Sequence, residues 1–129
     1  MECIYYKKAL IGFRLRVIAK GSNPITEGTE PLQVVTLKHE KGAYLKAHMH
    51  APRKRQTNSL QECLIVKKGK VKLDLYAPDK KMFKYLYLQA GEMFLLMNGG
   101  IGIHVIKDAE MIEVKNGPFK EDKILIWKK

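Results

Sequence analysis

Val71-Lys72-Leu73-Asp74-Leu75-Tyr76 alternates along its length, with Val71, Leu73 and Leu75 on one side. Successive side chains of a strand point to opposite faces, so this run reads as a β-strand with one buried face. Working outward, short β-rich runs recur at 33–38, 43–50, 62–66, 83–88, 93–97, 101–106, 111–114 and 124–127. Runs at 4–6 and 13–18 add strand candidates near the N-terminus. Lys67-Lys68-Gly69-Lys70 and Ala77-Pro78-Asp79-Lys80-Lys81 lie between runs and read as hairpin loops. Lys20-Gly21-Ser22-Asn23-Pro24 and Glu27-Gly28-Thr29-Glu30-Pro31 read as turns. No stretch holds a helical period with caps. Many strands at spacings near ten residues argue an all-β sandwich or barrel.

At 129 residues the chain has room for one domain. Hydrophobic residues at 46% and charged residues at 29% exclude a disordered chain and a collagen. The longest apolar run, Met93-Phe94-Leu95-Leu96-Met97, is far shorter than a membrane-spanning helix. No basic segment leads into an apolar core at the start, so a cytoplasmic location and no membrane partner are expected. The two cysteines are expected to be free thiols. Twenty-four Lys and Arg against 13 acids give a net charge of +11, which attracts anions. The basic residues are spread along most of the chain, as on a solvated surface.

His48-Met49-His50 is the sharpest local signal. On a strand, residues i and i+2 share a face, so the two imidazoles would converge as a metal requires. Glu62 opens a run in which Leu64 and Val66 follow at period two, the pattern of an inward face. A carboxylate on such a face is costly unless paired or metal-bound. The alternatives are two histidines on a wet strand edge and a glutamate reaching solvent at a strand start.

Gly42-x5-His48-x-His50 followed by Glu62-x6-Gly69 resembles the first motif of the cupin superfamily. Gly91-x5-Met97-x-Gly99 resembles the second, with its histidine displaced. The resemblance covers roughly residues 33–115, with residues 1–31 as N-terminal strands or an arm. The tail from Met111 to Phe119 is similar to that of small single-domain cupins near polysaccharide functions, and nucleotide-sugar cupins are a weaker likeness. The resemblance implies a double-stranded β-helix, a jelly roll of two packed antiparallel sheets around one polar pocket. It implies a divalent metal (Fe, Mn, Ni or Zn) held by His48, His50 and Glu62, with Glu62 also the candidate base. It implies a homodimer, which agrees with a run 62–66 that is apolar on both faces.

The chain departs from the pattern in three places. Eleven residues separate His50 from Glu62, and the insertion, with Arg53, Lys54, Arg55 and Gln56, reads as a basic surface loop at the pocket mouth. Arg53, Arg55 and Gln56 are candidate ligand-binding residues, since a guanidinium can clamp an anion through forked hydrogen bonds. Met97 stands where the motif has proline. Ile101 stands where related chains have histidine, leaving His104 as the candidate fourth ligand. Counting by twos from position 101, His104 faces the other side of its strand; a bulge at Gly102 would turn it inward.

Phe83, Tyr85 and Tyr87 alternate with Lys84, Leu86 and Leu88, which reads as a strand with an aromatic core face. Stacking on bases is the competing reading. Nucleic acid is not an expected partner, because no RNA-binding strand signature or concentrated basic helix is present. The expected function is that of a small metal-pocket cupin binding or acting on a small anionic or sugar-like molecule. A non-catalytic binding or sensing module is the alternative and a basic polyanion binder the third; the residues alone support enzyme and binding module alike.

Overall fold

The computed structural model describes residues 1–126 of the chain. Among them all regular structure is β, and every strand pair is antiparallel. Strands β1 (Glu2–Tyr6), β2 (Ala9–Leu15), β3 (Gly21–Pro24), β4 (Val35–Lys38), β5 (Glu62–Tyr76), β6 (Met82–Gln89), β7 (Met93–Leu96) and β8 (Gly100–Lys115) follow in order. Among the described residues, no helix is long and apolar enough to cross a membrane.

The strands fall into two antiparallel sheets of unequal size. One six-stranded sheet runs β1-β2-β7-β5-β6, with β8 also paired to β5, and β3-β4 form a separate two-stranded ribbon. β5 is the spine. Its first half pairs with β7 and its second half with β6, while β8 lies along its whole other edge. The sheet curls into a half-barrel. Ile4 and Ile11 from β1 and β2 pack with Leu73, Leu75, Leu86, Leu88 and Phe94 in its hollow, and Tyr6 meets the Phe83 ring at 5.0 Å. Each large apolar side chain buried there stabilises by about 1.5–3 kcal/mol.

The alternation of 71–76 holds, with Val71, Leu73 and Leu75 fully buried. Other expectations need correction. Lys67–Lys70 is not a hairpin loop; β5 runs through it, with register shifts against β8 between Val66 and Val71. Gly69 makes this possible: its φ is +84°, and a Cβ there would drive into the Asp108 carbonyl. Likewise 101–106 and 111–114 are one strand. Gly21–Pro24 is a strand rather than a turn. Residues 43–50 form no strand at all. The final run is irregular over 124–126, and Trp127 lies outside the described residues.

The N-terminal 15 residues are part of the main sheet, not an arm. The second face of 62–66 is covered within the chain. Cys63, Phe13 and Leu95 form a second cluster under Ile25, Leu32 and Val34. The double apolar face of this run therefore carries no need for a second subunit.

Candidate functional site

Two regions hold the candidate residues. The first is the irregular stretch 39–60, all of whose residues are exposed. The His48 and His50 rings lie edge to face, 5.1 Å between centroids, and His48 Nδ1 is 2.9 Å from the Lys46 carbonyl oxygen. Arg53, Arg55 and Gln56 are exposed on the same stretch, which is the surface loop its composition predicts. The stretch is pinned at its end, where Asn116 donates to Thr57 Oγ1 and the Ser59 carbonyl and accepts from the Gln61 amide.

Glu62 starts β5, half-buried, opposite Lys115 and Leu96. Burial is the main cause that pushes its carboxyl above the usual range; nearby Glu113 adds to this and Lys115 opposes it. Its salt-bridge partner is Lys115, at 3.9 Å. Among the described residues, no three His, Cys, Asp or Glu side chains come together to hold a metal ion. The expected ligand set of His48, His50, Glu62 and His104 is thus not assembled in this arrangement.

The second region is the outer face of β5, β6 and β8. The ladder from Leu73 to Tyr76 against Gly100 to Ile103 is regular, so no bulge occurs at Gly102. His104 lies opposite Lys72, on the face away from Leu73. Its Nε2 is 2.6 Å from Asp74 Oδ2. At this distance the imidazole and the carboxyl share one hydrogen bond. Asp74 is 1% exposed, and Lys72 Nζ lies 3.5 Å from its other oxygen. A buried carboxylate requires such partners.

On β6 the expected aromatic core face holds for Phe83, which packs against the core, and is reversed for the two tyrosines. Leu86 and Leu88 are buried, whereas Tyr85 and Tyr87 are 53% and 41% exposed. A tyrosine hydroxyl seeks water or a partner, so the leucines take the dry face. The two rings meet edge to face, 5.9 Å apart. Lys72 Nζ sits 4.5 Å from the Tyr85 centroid and Lys70 Nζ 4.8 Å from that of Tyr87. These are cation–π contacts between diagonal cross-strand neighbours. At the corner between β6 and β7 the face runs into an open recess of about 340 Å³, lined by Gly69, Lys70, Gln89, Ala90 and Lys107. A second open recess, of about 400 Å³, is lined by Leu10, Glu30, Ser59, Gln61, Met97 and Asn98.

Sequence reasoning singled out His104 but missed its partner Asp74 and the lysines beside it. The available signal was an acid between two core leucines in a strand. Comparison with known proteins adds no relative: no protein-family model, no curated protein and no solved structure matches the chain.

Proposed function

We propose that this chain is a small ligand-binding module of the cupin type its motifs resemble, holding an anionic or sugar-like molecule without converting it. The observation that carries this reading is the ordered row of ammonium groups on tyrosine faces, beside the Asp74–His104 pair, on one open strand face. Lysines fixed on aromatic rings supply charge with less entropy left to lose on binding, and exposed rings offer apolar area to a sugar or base. Binding is favoured over catalysis because the polar groups line an open face and shallow recesses. Electrostatic catalysis depends on a water-excluded site.

The test is titration of wild-type protein with inorganic phosphate and a sugar phosphate, followed by calorimetry. Lys70→Gln and Lys107→Gln are expected to weaken binding with the fold intact. Equal binding by wild type and both variants overturns the reading.

The adjacent His48 and His50 imidazoles favour a second reading, in which the exposed stretch binds one divalent ion. Imidazole suits Zn, Ni or Fe. Two donors on one exposed segment make a weak site, and Glu62 belongs to it only through the cupin resemblance.

A further inference from the structure

We propose that the outer face of β5, β6 and β8 binds single-stranded nucleic acid, with bases against Tyr85 and Tyr87 and phosphates on Lys70, Lys72 and Lys107. This rests on the binding reading of the same face and narrows its ligand class.

Three observations converge. First, the aromatic pair is outside. Tyr85 and Tyr87 sit two residues apart on one strand, so their attachment points are about 7 Å apart. Such a step suits successive bases of an extended strand, and stacking on a ring needs no particular base. Second, the charge runs parallel to the rings. Lys70 lies opposite Gln89 and Lys107, and Lys72 lies opposite Tyr87 and His104. The positive row is thus one strand away from the aromatic row, the layout a polymer with a charged backbone and flat side groups requires. The recess at Gly69, Lys70, Gln89, Ala90 and Lys107 extends that row past Tyr87. Third, Asp74 on this face is buried and engaged by His104 and Lys72, so its carboxyl is partnered within the sheet rather than presented to a ligand.

A duplex fits this face poorly. Its bases are already stacked and paired, so the rings would gain nothing. A polyanion without bases would use the lysines and ignore the rings. The chain's net charge of +11 supports association with any of these, and the tyrosines discriminate among them.

The experiment measures fluorescence anisotropy of a short labelled single-stranded RNA, with single-stranded DNA of the same sequence, the matching duplex and heparin as further arms. Wild type is expected to bind both single strands more tightly than the duplex. Tyr85→Leu and Tyr87→Leu are each expected to weaken single-strand binding about tenfold and heparin binding far less, through the lost hold on Lys72 and Lys70 alone; Tyr85→Phe retains binding. Lys70→Gln and Lys72→Gln weaken every arm and lower the slope of log K against log salt by about 0.7 each for single strands. Circular dichroism confirms that these exposed substitutions leave the fold intact. Single-strand binding unchanged in both leucine variants, or RNA and heparin weakened alike by them, overturns the proposal. Failure to bind either single strand while a sugar phosphate still binds through Lys70 overturns it and leaves the broader binding reading standing. Failure with the sugar phosphate as well overturns both.

Discussion

The stretch 39–60 and the outer face of β5–β6–β8 carry similar chemistry on opposite kinds of support. The first holds three imidazoles, two of them in contact, and five Lys and Arg side chains on irregular, exposed backbone. The second holds its charges and rings on hydrogen-bonded strands whose other side is the core. A side chain on a paired strand has its direction set by the ladder and its rotamer restricted by neighbours. One on the open stretch has neither. Residue types alone made the loop look like the site, and the scaffold favours the sheet face.

The largest way to test this contrast is stability. Phe94→Ala, at a fully buried position of β7, is expected to cost about 3–5 kcal/mol in denaturant unfolding. Replacing residues 44–50 by Gly and Ser is expected to cost no more than about 0.5 kcal/mol. A loop replacement as costly as the core substitution would break the contrast.

Next in size is the buried pair. Asp74→Ala removes the acceptor of His104 and a neighbour of Lys72, and is expected to cost about 1–3 kcal/mol. A double-mutant cycle with His104→Ala sharpens the point: coupling between the two is expected to be favourable, and strict additivity would remove the pair from the account.

Metal binding probes the loop directly. Zinc or nickel is expected to bind loosely, to be lost in His48→Ala and in His50→Ala, and to be kept in His104→Ala, as read by elemental analysis after equilibrium dialysis. Acid should release it, since a protonated imidazole cannot ligate. Loss in the His104 variant would join the two regions into one site.

The smallest effect lies at the start of β5. Burial raises the Glu62 carboxyl above its usual value of 4.5. The folded state therefore binds this proton more readily than the unfolded chain. The associated stability is present below the unfolded value and is lost as pH rises through the folded one. Glu62→Gln is expected to flatten melting temperature against pH just above the ordinary carboxylate range and to raise it slightly at neutral pH. An unchanged profile would show that Lys115 offsets the burial.

The β character of the chain was legible because alternation at 71–76 is a local signal and the core follows it. What pairs with what was not. Gly69 is equally at home in a tight turn and in a bulge, and only the carbonyl of Asp108 pressed against it, from a strand almost forty residues away, decides between them. On β6 the period gave two faces without saying which is dry, and Leu86 and Leu88 outcompeted the tyrosines. His48 and His50 share a face only if 43–50 is a strand, and a strand needs a neighbour that the local sequence does not contain. Asp74 was hidden because an acid in an alternating strand looks solvent-facing until His104 is brought beside it.

β8 is 16 residues long and, among the described residues, pairs with β5 alone. Its Ile103, Val105, Ile112 and Val114 are all exposed. A long apolar edge of this kind is an invitation to fibrous aggregation. The shifts opposite Val66 to Val71 break its line, and Lys107, Asp108 and Glu110 place charges of both signs at that break. The same interruption that lets β5 run on past Gly69 thus also breaks the line along which an incoming strand would have to pair.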